Sequence, residues 1–168
     1  MDIYTLFRTC KNKDKLLEVL KQKPNLNIKN YNSGITLSMF VFRYCDDKDI
    51  LLEVLKQKPG FNIQDIYGYT IAMYAFLCCK DKDVLLELLR QKPDLTLKNR
   101  YNTTALDYAL EYYVKSPNFK FDVLEKLYDE NCKQDKQLFN PKYIKLRNKY
   151  KVLPLILFRH YQRYSTKN

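Results

Sequence analysis

One phrase of nine residues occurs three times in this 168-residue chain, at a nearly constant interval. "LLEVLKQKP" begins at Leu16 and again at Leu51, and the close copy "LLELLRQKP" begins at Leu85. The two intervals are 35 and 34 residues. Recurrence at this interval is typical of stacked structural units, each of which is too small to bury its own apolar face. The chain is therefore predicted to fold as an array of repeats.

Each predicted unit contains two helices joined to the next unit by a polar turn. The repeated phrase ends in proline, which lacks the amide that would continue a helix, and it predicts a second helix of about nine residues. The predicted N-caps of these second helices are Asp14, Asp49 and Asp83. The predicted first helices lie upstream, at 35–45, 69–79 and 103–113. The polar segments that precede them, predicted to form hairpin-like fingers, are 26–34, 61–69 and 95–103.

Two stretches carry a pattern of spaced residues, "DIYGYTIAMYA" at 65–75 and "NRYNTTALDYA" at 99–109. In the ankyrin repeat family, each repeat opens with Asp, has Gly three residues later and has Thr two residues after that. The first stretch keeps Asp65, Gly68 and Thr70 at these places. The second stretch keeps the Thr and has Asn in place of both Asp and Gly. On this pattern and on the period, the chain resembles the ankyrin repeat family.

The resemblance covers residues 1–131 and implies an all-α fold, an ankyrin-repeat solenoid of about four helix pairs with hairpin-like fingers. The repeat region is predicted to span residues 1–132, and a basic helical extension at 133–168 is predicted to cap the last repeat. Within the repeat region, the predicted divisions are an N-terminal cap at 1–25 and units at 26–60, 61–94 and 95–132.

The resemblance also implies where a partner protein would bind. Partners of ankyrin repeats usually contact the finger tips and the outer end of the first helix. Transferred by position, the predicted partner-binding residues are Tyr31, Asn32, Arg43, Tyr44, Ile66, Tyr67, Tyr69, Arg100, Tyr101, Thr103 and Tyr112. Tyrosine and arginine contribute most to interfaces, because they combine a large contact area with a polar group. The alternative is that a chain with 15 tyrosines simply scatters them over its surface, but tyrosine in every finger favours a contact surface.

The residues that catalysis needs are scarce. The chain has a single histidine, His160, and no Cys-x-x-Cys pair or Gly-rich phosphate loop. We therefore expect a non-enzymatic protein–protein interaction module with no cofactor, no metal and no small-molecule substrate.

Location and source are inferred from composition. The absence of a secretory signal and the five cysteines predict an intracellular protein, in the cytoplasm or the nucleus. The longest apolar run, "VLPLILF" at 152–158, is too short to span a membrane. Abundant Lys, Asn, Tyr and Ile are typical of AT-rich genomes, such as those of large DNA viruses or intracellular parasites. In such a source, the partner would be a host regulatory protein.

The net charge of +11 is unevenly distributed along the chain. Residues 1–132 contain 20 basic and 18 acidic side chains, a balance of +2, whereas residues 133–168 contain 10 basic and one acidic, a balance of +9. The C-terminal segment is predicted to be a cap, and its alternative is an appendage that binds nucleic acid or an acidic partner. The side chains that would then face the anion are Lys142, Lys145, Arg147, Lys149, Lys151, Arg159 and Arg163.

A further alternative is an adaptor that recruits a ubiquitin ligase through "VLPLILFRHY" at 152–161, which shares a Leu-Pro pair with the boxes used by viral ankyrin proteins.

Deletion of residues 133–168 tests the capping role. We expect the truncated chain to melt at a lower temperature and to aggregate, because the apolar side of the last repeat would be uncovered. Thermal unfolding followed by circular dichroism measures this. A truncated chain that is fully stable but has lost DNA binding would support the appendage instead. About five phosphate contacts would give the intact protein a slope near −4 to −5 in log K against log salt.

Overall fold

A computed structural model of the chain describes residues 2–114 and 121–134. These two ranges contain eight helices and no strand, so the all-α prediction is confirmed for them. The helices are α1 Ile3–Thr9, α2 Lys13–Lys21, α3 Leu37–Tyr44, α4 Lys48–Lys56, α5 Ile71–Cys78, α6 Lys82–Arg90, α7 Ala105–Val114 and α8 Phe121–Gln134.

The eight helices are arranged in two rows. In the first-helix row, α1 contacts α3, α3 contacts α5 and α5 contacts α7. In the second-helix row, the same succession links α2, α4, α6 and α8. Contacts between α3 and α4, between α5 and α6 and between α7 and α8 join the rows. The chain therefore advances by one helix pair at a time, and residues 2–24, predicted to be a cap, also form a pair of helices.

A threonine spaced by 34 residues marks where each of three first helices begins. Its hydroxyl oxygen accepts a hydrogen bond from the amide three residues later, at 3.3 Å in all three units. This bond satisfies one of the amides that the first turn leaves without a partner. The threonines are Thr36, Thr70 and Thr104.

The second helices begin earlier than predicted. Their N-caps are Asn12, Asp47 and Asp81. The prediction of Asp14, Asp49 and Asp83 was therefore wrong by two residues. In each charged run, both the observed N-cap and the Asp two residues later have side chains that can cap a helix. The earlier one does so because this lengthens the helix and leaves the later Asp in the first turn, where its charge favours the helix dipole. The predicted length of nine residues is confirmed for α2, α4 and α6.

A lysine at the start of each of these helices is paired with the next helix of the row. The Nζ atom of Lys13 lies 2.5 Å from Asp49 Oδ2 and 3.2 Å from Asp47 Oδ2. Lys48 pairs in the same way with Asp83, and Lys82 pairs with a carboxylate of α8. Exposed ion pairs contribute little to stability individually. Their repetition nevertheless aligns the N-termini of successive second helices.

The last pair in this series depends on pH. The hydrogen bond from Lys82 lowers the pKa of Asp122. A lowered carboxyl pKa stabilises the fold above the ordinary value for aspartate, about 4, and this stabilisation is lost as the pH falls through the lowered pKa. The link between α6 and α8 is therefore fully formed at neutral pH.

Burial differs between the two rows. In α5, every residue from Ile71 to Phe76 is buried, because α3, α7 and α6 cover this helix. In the second-helix row, burial follows a stripe along one face, and the exposed residues are polar. The stripe residues of α4 and α6 are Ile50, Leu51, Val54, Leu55, Val84, Leu85, Leu88 and Leu89.

Two residues after the end of α2, α4 and α6, a lysine has left-handed backbone geometry. Lys23, Lys58 and Lys92 have φ angles of 53°, 51° and 54°. The amide of each donates to the carbonyl three residues earlier, at 2.9, 3.0 and 3.1 Å. A proline follows each lysine and has no amide for the second bond of a Schellman motif. This conformation is unfavourable for a residue with a side chain and is the usual place for glycine.

Replacing Lys58 by Gly is expected to stabilise the protein by about 0.5–1 kcal/mol, because glycine adopts this geometry without strain. The matched control is Lys56→Gly at the end of α4, where the backbone is helical and glycine should cost about 0.5–1 kcal/mol. Urea denaturation of both variants gives the two free energies of unfolding. A loss of stability in both would contradict the strain argument.

Candidate interaction surface

Each finger is closed by an Asn or Asp side chain. Asp65 Oδ1 accepts the amides of Tyr67 and Tyr69, at 2.9 and 2.8 Å. In the third finger, Asn99 Oδ1 accepts the two equivalent amides, at 2.9 and 3.0 Å. In the first finger, Asn30 Oδ1 accepts the amides two and three residues later, at 3.0 and 3.3 Å. Short polar side chains of this type stabilise turns by replacing backbone hydrogen bonds. The residue that opens the ankyrin pattern therefore has a local structural role in this chain.

The first finger has one residue more than the others, at its tip. In the second and third fingers, the turn is closed by a hydrogen bond across three residues, from Gly68 N to Asp65 O and from Asn102 N to Asn99 O. In the first finger, the corresponding bond spans four residues and is 2.8 Å long. The extra residue accounts for the interval of 35. The longer turn contains Tyr31, whose side chain is fully exposed.

Backbone hydrogen bonds link neighbouring fingers. Ile66 N donates to Ser33 O at 3.2 Å, and Arg100 N donates to Tyr67 O at 2.9 Å. The second and third fingers approach so closely that a Cβ atom on Gly68 would lie 2.9 Å from the Cα atom of the next finger's Asn. The fingers therefore form one continuous edge, and the positions of their tips relative to each other are fixed.

A cluster of three tyrosines anchors the second and third fingers to the first-helix row. The ring of Tyr69 lies 5.3 Å from that of Tyr74 and 5.7 Å from that of Tyr108. The Tyr74 hydroxyl donates to Asp65 Oδ2 at 2.7 Å, and the Tyr108 hydroxyl donates to Tyr69 at 2.8 Å while it accepts from Asn99 Nδ2 at 2.8 Å. Burial, together with the hydrogen bond to Asp65, raises the pKa of Tyr74 above its ordinary value. This tyrosine therefore stays protonated and acts as a donor.

The exposed large apolar side chains of the described residues all lie on one side of the stack. Five are in the fingers, and one is in the last turn of α3; none is on the second-helix row. They are Ile28, Tyr31, Tyr44, Ile66, Tyr67 and Tyr101. All but Ile28 are among the predicted partner-binding residues.

Two predicted arginines lie over these aromatic rings. The Arg43 guanidinium carbon is 5.2 Å from the ring centre of Tyr44 and 5.7 Å from that of Tyr74. The Arg100 guanidinium carbon is 6.0 Å from the ring centre of Tyr67. Contacts of this length are cation–π interactions, which hold the guanidinium group in place while leaving its edge accessible.

Not every predicted residue is exposed. Tyr69 is half-buried within the tyrosine cluster, and Thr103 is half-buried because its amide bonds to Asn99 inside the finger. The side chain of Tyr112 lies outside the described part of the chain, as do the basic residues from Lys142 to Arg163 and the adaptor segment at 152–161.

The exposure of Ile28 could not be predicted from the sequence. Its counterpart in the second finger, Ile63, is the same type of residue but is half-buried. Sequence reasoning also missed two side chains that link the units, although their recurrence at an interval of 35 residues was a signal for them. Asn27 Oδ1 accepts the amide of Gly60 at 2.7 Å, and Asn62 Oδ1 accepts that of Asp94 at 2.8 Å.

Two further properties concern residues 2–114 and 121–134 alone. None of their helices has the length and apolarity needed to cross a lipid bilayer. Their His, Cys, Asp and Glu side chains form no group of three or more suited to hold a metal ion.

No protein-family model matches this chain, and no curated protein sequence does so either. The resemblance to ankyrin repeats therefore stays a prediction from the repeated residues.

Replacing Asp65 by Ala is expected to lower the free energy of unfolding by about 2–3 kcal/mol, because two amides and the Tyr74 hydroxyl lose an acceptor that is buried in the finger. The Asp65→Asn variant should lose clearly less, since Asn99 closes the next finger with an amide oxygen. Urea denaturation distinguishes the two variants. Equal losses would show that the charge of Asp65, rather than its acceptor oxygen, stabilises the finger.

Proposed function

We propose that this chain is a non-enzymatic ankyrin-type repeat protein that binds another protein through its finger tips and the outer ends of its first helices. The observation that carries the proposal is the one-sided distribution of exposed apolar side chains. Tyrosines scattered by composition alone would also be exposed on the second-helix row, where the described residues have none. A cluster of exposed tyrosine and isoleucine side chains is characteristic of a protein contact surface.

The arrangement of the helices supports the ankyrin part of the proposal. Helix pairs stack in two rows, and a finger with an Asn or Asp at its base precedes each first helix from α3 onward. These features agree with the repeat of the ankyrin family, in which the Thr is followed by Pro-Leu-His. That run is incomplete in every unit of this chain.

The rigidity of the edge supports the binding part of the proposal. The fingers are hydrogen-bonded to each other, and the second and third are anchored by the tyrosine cluster. Binding therefore requires little ordering of this surface, which reduces the entropy lost on association. If the source is a virus or an intracellular parasite, the partner is a regulatory protein of the host.

Replacing Tyr67 and Tyr101 together by Ala should weaken partner binding by about 2 kcal/mol or more, because both would be central contacts. Their side chains are 47% and 67% exposed, so the melting temperature should change little. Proteins are first captured from candidate host lysate on the immobilised full-length chain. The captured protein is then identified by mass spectrometry, and its dissociation constant is measured for the unmodified chain and the variant.

The control variant is Lys15→Ala/Lys21→Ala, which changes two exposed side chains of α2 on the second-helix row. It should bind the captured protein as tightly as the unmodified chain. Unchanged affinity in the tyrosine variant, with a loss in the lysine variant, would move the binding surface to the second-helix row.

A further inference from the structure

We infer that the segment of the partner that contacts the fingers is acidic, with carboxylates placed between apolar side chains. This inference rests on the proposed function and specifies the chemistry of the partner. It follows from the distribution of charged side chains between the two sides of the stack. The net charge of residues 1–132 is close to zero and does not show this distribution.

The finger side, defined here as the three fingers and the first-helix row, has five basic side chains in the described residues, and all five are exposed. None of the ion pairs in the described residues involves any of them. In contrast, the lysines that begin the second helices are paired with aspartates. The five residues of the finger side are Arg8, Lys29, Arg43, Lys98 and Arg100.

The carboxylates of the finger side are used within the fold. Asp65 is buried and accepts three hydrogen bonds, and Asp107 is buried and accepts from the amide and hydroxyl of Thr104. Asp2 caps α1 through Thr5. The side chain of Glu111 is not among those described. Among the described side chains of the finger side, the one exposed acid is therefore Asp2 at the start of α1, against five exposed basic residues.

Two of these basic side chains are positioned by aromatic rings in a way that favours binding of a carboxylate. Arg43 lies over the rings of Tyr44 and Tyr74, and Arg100 lies over that of Tyr67. A guanidinium group has five N–H donors, so one that contacts a ring still has donors that match the two oxygens of a carboxylate. Stacking also restricts the side chain in advance, so less entropy is lost when an anion binds.

The surroundings of the arginines favour a protein over a nucleic acid. The exposed side chains of the fingers also include Ile28 and Ile66, which offer nothing to a phosphate but can contact apolar side chains of a peptide. Basic residues are few and alternate with tyrosines, whereas nucleic-acid surfaces present dense positive charge to the backbone. Neighbouring helices lie about 8–10 Å apart, and an extended chain advances about 3.3 Å per residue. A bound strand would therefore pass one unit in about three residues.

Selection from a phage-displayed library of random 12-residue peptides on the full-length chain tests the inference. Twelve extended residues span roughly 40 Å, enough to cross all three fingers. We expect the selected peptides to be enriched at least twofold in Asp and Glu over the starting library. Synthetic versions should bind more weakly as salt increases, and about tenfold more weakly to Arg43→Gln/Arg100→Gln.

Two variants with the same change in charge serve as controls. Lys15→Gln/Lys21→Gln on α2 and Lys145→Gln/Arg147→Gln in the C-terminal segment should each alter affinity less than twofold. A larger loss in the C-terminal variant than in the arginine variant would place acid binding there and overturn the inference.

The remaining outcomes separate this inference from the proposed function. Peptides that need Tyr67 and Tyr101 but show no acid enrichment would overturn the acidic partner and leave the protein-binding surface supported. Peptides that bind independently of both the tyrosines and the arginines, or a selection without enrichment, would contradict both. Displacement of the selected peptides by a 12-base-pair DNA duplex, dependent on Arg43 and Arg100, would assign the surface to nucleic acid instead.

Discussion

Each helix pair of this chain can bury its apolar faces only against the adjoining pairs, and the remaining structure depends on that contact. The clearest case is α5, whose residues from Ile71 to Phe76 are all buried because helices lie on several sides of it. A side chain that packs against the same neighbours in every unit is needed at the same position of each repeat. This explains why the nine-residue segment recurs with almost the same residues. Stability in such an array is shared between the units and the interfaces that join them.

The fingers rely on the same stacking. An isolated finger would be a short polar turn held by one Asn or Asp side chain, and such turns are only marginally stable in water. In the stack, each finger gains backbone hydrogen bonds from its neighbour, and the second and third gain the support of Tyr74 and Tyr108. Side chains such as Asn27 and Asn62 add a further link between successive units, at the base of the fingers. The tips are therefore exposed without being independent of one another.

The two sides of the stack use charge differently. On the second-helix row, the lysine at the start of one helix pairs with an aspartate in the first turn of the next. On the finger side, Asp65 and Asp107 are buried as acceptors, while the arginines remain at the surface. A sum of charges over the sequence cannot reveal this division, because both sides contribute residues to every stretch of 34. Only the folded arrangement separates them.

The sequence by itself determined the period, the two helices of each unit and the prolines that follow the second helices, because these features depend on neighbours within a few residues. It misplaced the second-helix N-caps by two positions, since both polar side chains of each run can cap and the pairing of Lys13 or Lys48 with the next unit is not visible locally. Tertiary structure alone decided which finger residues face solvent. Tyr67 and Tyr69 are two positions apart, yet the first is exposed and the second packs between Tyr74 and Tyr108. The reason is that the exposure of a finger residue depends on the helices that pack beside it, and one of these contributes Tyr108, which lies 39 residues from Tyr69 in the chain.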